Sequence, residues 1–254
     1  FGQGLVFNSN AFYGSAGNIE QFIQRTDKIS KYTSCAETNF FRGIATTLEF
    51  NKLNISLFGS YNYLDSANGY HRTENEIKKK FSGYKFATGG NINYRFKSGK
   101  IGLSAVYDST NLNFGLDYRF HIKNYGLAGE IAVDKKGNIA TLHNFYFSTE
   151  HNFSSNIMIR YYAKGYSSSF ANAYSMKNNS GEVGALWSFL WNINEKWKWY
   201  NSADIAFFTE EKYLISKPSV EYKINTLFSY NIKENHLLNI KYSFDSKEKD
   251  DTDS

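Results

Sequence analysis

The sequence predicts an all-β chain, an antiparallel up-and-down transmembrane β-barrel, and three observations carry that expectation. Apolar and polar residues alternate with period two in segment after segment, each about as long as the 9 to 11 residues of a tilted membrane strand. The 22 Phe, 20 Tyr and 4 Trp stand against one Pro and two Met, a balance that leans towards β-structure. Connections alternate between short turns and longer loops, as in bacterial outer-membrane barrels, whose short turns lie in the periplasm.

Strands are expected, in order, over 3–12 and 39–50, then over 53–64, where Leu53, Ile55, Leu57, Gly59, Tyr61 and Tyr63 oppose Asn54, Ser56, Phe58, Ser60 and Asn62. The next are 84–96, closed by Lys97-Ser98-Gly99, and 100–108, with weaker alternation. The clearest is 111–122: Leu112, Phe114, Leu116, Tyr118, Phe120 and Ile122 fall on one parity, and Asn111, Asn113, Gly115, Asp117, Arg119 and His121 on the other. After Lys123-Asn124 come 125–134, 138–149, 154–165 and 181–193, then 197–208 behind the turn Asn194-Glu195-Lys196. In 217–231, Val220, Tyr222, Ile224, Thr226, Phe228 and Tyr230 oppose Glu221, Lys223, Asn225, Ser229 and Asn231. In 236–245, Leu238, Ile240, Tyr242 and Phe244 oppose Asn239, Lys241 and Ser243. Longer connections are 13–38, 65–83, 166–180 and 209–216.

A soluble sandwich also alternates, but its inner face is richest in Val, Ile and Leu at mid-strand. Here aromatic rings gather near strand ends, at Tyr61, Tyr63, Tyr107, Trp191, Trp197, Trp199, Tyr230 and Phe244, as in the girdles at the two headgroup levels. Hydrocarbon offers no hydrogen-bond partner, so strands must close on one another and the lipid-facing parity must be apolar. The other parity then lines a wet lumen. Thirteen strands is an odd count, and the acidic tail 245–254 resembles the start of an outer loop, so a truncated barrel is expected, with unpaired strands at both ends. No leader precedes Phe1, as in a mature or internal fragment.

The net charge of +5 permits an anionic partner, but the basic residues are scattered, which weakens a simple nucleic-acid reading. Mean hydropathy is −0.51 and no run approaches the roughly 20 apolar residues of a spanning helix. Cys35, the single cysteine, reads as an incidental thiol in a polar loop. The five His, at 71, 121, 143, 151 and 236, have no metal-ligand spacing. His143 with Asn144, and Asp108 with Glu182, form no diagnostic catalytic pattern, and no Gly-rich phosphate loop is present. Neither an enzyme nor a cofactor is expected.

Several segments resemble a family of large Bacteroidetes outer-membrane proteins, the helix-hairpin-helix domain proteins, in which periplasmic helix-hairpin-helix modules precede a C-terminal barrel. The likeness runs from Phe1-Gly2-Gln3-Gly4-Leu5 through 31-KYTSCAETNFFRGIA-45, 70-YHRTENEI-77 and 126-GLAGEIA-132 to 159-IRYYAKGYSSSFANAYS-175, with Glu182 and Gly184. The modules themselves are absent from this chain, and the link from Tyr107 to Leu112 is shorter than the family's loop. The resemblance implies a bacterial outer-membrane location, and DNA as a partner only through the missing modules.

Candidate lumen residues are Asp117, Arg119, Glu130, Arg160, Lys164, Glu182, Glu221, Lys223 and Lys241, with Arg160 and Glu182 the foremost pair. They serve either a polar core or plug, or a solute pathway. The loop 68-NGYHRTENEIKKK-80 offers His71, Arg72, Glu74 and Glu76, either as solvated charges or as contacts folding into the lumen. Arg42, on the lipid parity of Ile44 and Leu48, either snorkels to the headgroups or is turned inward by a bulge at Gly43; lipid and lipopolysaccharide are its expected partners. Two functions stay open: a conduit or membrane part of a macromolecule-handling system, DNA uptake among them, and a non-conducting anchor that binds through loops 65–83 and 166–180.

Overall fold

The structure, a computed structural model, describes residues 2–7, 29, 41–64, 73–79, 83–149, 152–176, 179–211, 215, 218–233 and 236–250. Its strands are β1 (Gly43–Phe50), β2 (Leu53–Leu64), β3 (Gly83–Phe96), β4 (Gly99–Asp108), β5 (Leu112–Ile122), β6 (Tyr125–Asp134), β7 (Ile139–Ser148), β8 (Phe153–Tyr162), β9 (Glu182–Asn192), β10 (Trp197–Phe208), β11 (Ser219–Lys233) and β12 (His236–Lys247). They form one antiparallel sheet in chain order, each strand bonded to the next. Two-residue turns at the short end use left-handed backbone at Asn51 (φ 44) and Lys123 (φ 50), the twist that matches a tight hairpin.

Parity decides what each face meets. On β5, Phe114 and Leu116 are 50% and 42% exposed while Asn113 and Asp117 are buried, and the same division runs through β2, β4, β8 and β10. The outward face is therefore mainly apolar, and the inward one holds Asn54, Ser56, Asn91, Asn93, Ser104, Asn144, Asn156, Ser188 and Ser202, all buried. Rings stand at the strand ends of the outer wall: Trp197 stacks on Tyr230 at 4.3 Å and Trp199 on Phe228 at 5.2 Å at the short-turn end, with Tyr61 and Tyr63 in contact at the other.

The sheet curls around a core of its own. Phe58 of β2, Val106 of β4, Ala132 of β6, Leu142 of β7, Met158 of β8 and Leu186 of β9 all belong to one buried cluster with Leu5, Val6 and Phe7. Strands so far apart in the sheet share that cluster because the sheet wraps round the segment 2–7.

Three expectations need correction. The described sheet has twelve strands, because 2–7 is an irregular segment inside the barrel; the remainder of the expected strand 3–12 lies outside the described residues. Gly2 and Gly4 take positive φ (54° and 88°), which breaks any strand there. The pairing of β1 with β2 runs unshifted from Gly43 to Phe50, so there is no bulge at Gly43; the irregularity lies between Asn231 and Lys233. A helix also occurs: α1 (Glu74–Lys78) starts at a capping box in which Glu76 N donates to Thr73 Oγ1 and Thr73 N to Glu76 Oε2. Among the described residues β1 bonds only to β2 and β12 only to β11, so the sheet has two edges.

Candidate luminal site

The inward parity of β6 places Glu130 four residues from the long-loop rim, fully enclosed. A buried carboxylate needs donors, and the segment 2–7 supplies them from its backbone. Gln3 N (2.5 Å) and Leu5 N (3.1 Å) donate to Oε2, and Val6 N (3.2 Å) donates to Oε1. Gly2 lies so close to Glu130 and Asp117 that a Cβ would stand 2.6 Å from Glu130 Oε2. Gln3 Oε1 accepts from Asn144 Nδ2 (3.2 Å), which fixes the segment to β7 as well.

The stretch 163–176 closes over the same segment. Tyr166 Oη donates to Leu5 O (2.8 Å), Ser168 Oγ to Val6 O (3.1 Å), and Asn172 N to Gly4 O (2.9 Å). Its own position is held by the rims of β5 and β6: Asn113 Nδ2 donates to Ser167 O (2.9 Å), and Ser167 N donates to Asp134 Oδ2 (3.2 Å). Phe170 packs on Phe7 and Phe41, whose rings meet Phe58. Burial, reinforced by the nearby Glu130 carboxylate, pushes the Tyr166 phenol well above its ordinary value and keeps it a donor.

A second knot lies beside it. Arg160 Nε donates to Glu182 Oε1 (2.5 Å) and Nη1 to Asp204 Oδ1 (2.8 Å), and all three residues are buried. Tyr174 Oη donates to Asp204 Oδ2 (2.7 Å) while its ring covers the guanidinium at 5.2 Å. Met176 N donates to Glu182, so the stretch 163–176 is tied to three strands through one charged group. Gly184 makes the space: a Cβ there would run into the Arg160 guanidinium.

Of the sequence candidates, Asp117, Glu130, Arg160 and Glu182 are buried on the inner wall, and the expected pair Arg160 and Glu182 is in contact. Arg119 is half-buried on the same wall. Lys164 is not: β8 ends at Tyr162, and Lys164 sits in the exposed turn beyond it, where strand parity no longer applies. Glu221 and Lys223 keep the inner parity of β11 but pair locally, with Lys247 and Asp245 of β12 at 3.9 Å, and Lys223 is exposed, as is Lys241. Arg42 precedes β1, exposed at the rim, with its N donating to Ser60 Oγ and its O accepting from Tyr61 N. Glu74 is exposed on α1 and Glu76 serves its cap. His71, Arg72 and Cys35 lie outside the described residues. Sequence reading missed Gln3, Tyr166, Tyr174, Lys100 and Asp204. Inner parity on 197–208 marks Asp204, but nothing marks an inward-folding loop.

A lumen lined by polar parity, filled by its own chain and walled by outward apolar residues, can be set beside known proteins. No protein-family model and no curated protein matches the chain. Solved structures do. The crystal structure of Pseudomonas aeruginosa OccK9 (OpdG) aligns with TM-score 0.52 and 13% identity, over 82% of this chain and 62% of that one. The outer membrane protein opdK from Pseudomonas aeruginosa aligns with TM-score 0.54 and 10% identity, over 83% of this chain and 66% of its own. The fold is that of an outer-membrane β-barrel. At this identity the likeness concerns the fold alone, and the chain spans under two thirds of either protein's length.

Proposed function

We propose that the chain is the membrane-embedded barrel of a bacterial outer-membrane protein, stoppered near its long-loop end and conducting when the stopper moves. Glu130 carries this reading: one buried carboxylate holds three backbone N–H groups of a segment that is not part of the barrel wall. That carboxylate acts as a latch on the stopper, beside the Gln3–Asn144 contact to β7. On this reading the outward wall meets lipid, and Arg42, exposed at the long-loop rim, meets the phosphate groups of lipopolysaccharide. No step of this reading is chemical catalysis. The test is single-channel recording of the chain in planar bilayers, with a β-rich far-UV spectrum as the check on folding. The expected result is a mostly closed wild type and, for Glu130→Ala, an open-state occupancy raised several-fold. Silence in both overturns the conduit.

A finer version makes the barrel the membrane part of a macromolecule-handling system, DNA uptake included. It is supported by the resemblance in 1–5 and 159–175 to helix-hairpin-helix outer-membrane proteins, whose modules would make the DNA contact. The second reading, a non-conducting anchor that binds a partner through outer loops, is favoured by the aromatic packing of Phe7, Phe41, Phe58 and Phe170, which resembles a permanent core. Because 163–176 turns inward, partner capture then falls to loop 65–83. Deleting that loop abolishes capture and leaves conductance unchanged if the anchor reading holds.

A further inference from the structure

On the inner wall of β8 to β12, five consecutive register partners carry an uncharged amide or hydroxyl: Asn156, Ser188, Ser202, Asn225 and Ser243. Partners across a pleated sheet point to the same side, so the five form one row. The row is buried at Asn156 and Ser188, half-buried at Asn225 and exposed at Ser243. Along it, Asn225 Nδ2 donates to Ser202 Oγ (3.5 Å) and Ser243 Oγ donates to Asn225 Oδ1 (2.9 Å). At the buried end, Asn156 Oδ1 and Ser188 Oγ have no hydrogen-bond partner among the described residues. Buried polar atoms are ordinarily satisfied, so two such atoms on neighbouring strands ask for a guest that bonds to both.

The same chemistry recurs on β1 to β4, where Thr47, Ser56, Asn91 and Ser104 are consecutive register partners. Thr47 Oγ1 and Ser56 Oγ share a hydrogen bond (2.9 Å), and Asn91 Nδ2 donates to Ser104 Oγ (2.8 Å). This second row continues as Gly115, Ala132 and Ala140, and there the stopper sits. A Cβ on Gly115 would stand 2.6 Å from Val6 Cγ2, and both alanines share the cluster of Val6. The row is thus small and apolar under the stopper, and amide or hydroxyl away from it. The charges next to the first row answer one another: Asp204 holds Arg160, and Lys223 lies 3.9 Å from Asp245. On its other side lie Leu190, Tyr200 and Leu227, of which Tyr200 clusters with Tyr146, the register partner of Asn156.

We propose that the row Asn156, Ser188, Ser202, Asn225 and Ser243 is a binding track for neutral polyhydroxylated solutes, that is, for sugars and short oligosaccharides. Amides and hydroxyls both donate and accept, as sugar hydroxyls do, whereas an ammonium only donates and a carboxylate only accepts. The solute meets the row first at Ser243 and Asn225, and its hydroxyls reach Asn156 and Ser188 as the Tyr146 and Tyr200 rings turn apart. A ring with an apolar face and a polar tip suits the mixed surface of a pyranose. The track names the substrate class of the proposed conduit and rests on that reading for its purpose, but binding is measured without conduction, so the two fail separately.

The test is calorimetric titration of the chain in lipid nanodiscs with maltotetraose, a neutral oligosaccharide, and with succinate and spermidine as charged controls. The expected result is saturable binding of maltotetraose, tighter than that of either ion and the same at about 0.15 M and about 0.5 M salt, because a neutral solute is not screened. Asn225→Ala and Ser188→Ala each weaken it about fivefold, the usual worth of one neutral hydrogen bond. Ser188→Ala discriminates best: Ser188 Oγ bonds nothing among the described residues, so its removal lowers affinity while leaving the urea midpoint unchanged. Thr226→Val, next to Asn225 but on the outer wall, leaves binding as it was. No saturable maltotetraose binding by a chain with an intact β-rich spectrum overturns the proposal. So does succinate or spermidine bound more tightly than the sugar, or sugar affinity unaltered in both alanine variants.

Discussion

Arg160 shows what a single residue does in this lumen. Two carboxylates, Glu182 and Asp204, are removed from water and answered by one guanidinium, which also lies under the Tyr174 ring. Removing one partner of a buried ion pair strands the other, at a cost of about 3–5 kcal/mol. Arg160→Met is therefore expected to destabilise the barrel by about that much in urea titrations in phospholipid. The triple variant Arg160→Met, Glu182→Gln, Asp204→Asn recovers most of the loss; a triple variant no more stable than the single one refutes the account. Parity on the sequence was enough to put Asp117, Glu130, Arg160 and Glu182 in the lumen, because period-two alternation fixes a side once the neighbours' side is known. It had no purchase on Gln3 or Tyr174. Their roles depend on backbone N–H groups and on a fold-back of the chain, and neither leaves a periodic trace.

At the scale of elements the strands were legible and the stopper was not. All twelve strands fall within segments read from alternation and turn residues, with ends displaced by a few residues, as at Gly43 and Tyr162. The segment 2–7 misled because Leu5, Val6 and Phe7 offer apolar bulk suited to a strand, while the positive φ of Gly2 and Gly4 is a conformation and not a composition. The stretch 163–176 looked like a surface loop because Ser167, Ser168, Ser169 and Asn172 are polar, yet their polarity is spent on the backbone of 2–7 and on rim residues. Strand parity itself makes a test. Leu116→Lys, mid-strand on the outer wall, is expected to cost about 2–4 kcal/mol of stability in phospholipid. Asn225→Lys, mid-strand on the inner wall of β11, is expected to cost under about 1 kcal/mol, because its ammonium stays wet. Equal costs at the two sites would mean that both faces meet the same solvent.

For the molecule as a whole, the free edges matter most. The backbone N–H and C=O groups along the outer sides of β1 and β12 have no strand beside them among the described residues. In hydrocarbon each such group costs several kcal/mol, so neither edge can remain unpaired in a bilayer. Among the ways to pair them, β12 joins β1 of the same molecule, an edge joins a further strand, or an edge joins a second copy. The outward residues of β12, Leu238, Ile240, Tyr242 and Phe244, are apolar along its length, with no proline or outward charge to discourage pairing. An isologous pair of β12 strands about a two-fold axis places the strand midpoint, next to Tyr242, against its own copy. In a Cys35→Ser background, Tyr242→Cys is accordingly expected to form disulfide-linked dimers in membranes far more readily than Leu116→Cys, which is equally lipid-facing but mid-sheet. The measurement is the dimer fraction on non-reducing gels after mild oxidation. Equal yields at the two positions sink edge pairing, and an intramolecular disulfide between Thr46→Cys on β1 and Tyr242→Cys would show that the edges close within one chain instead.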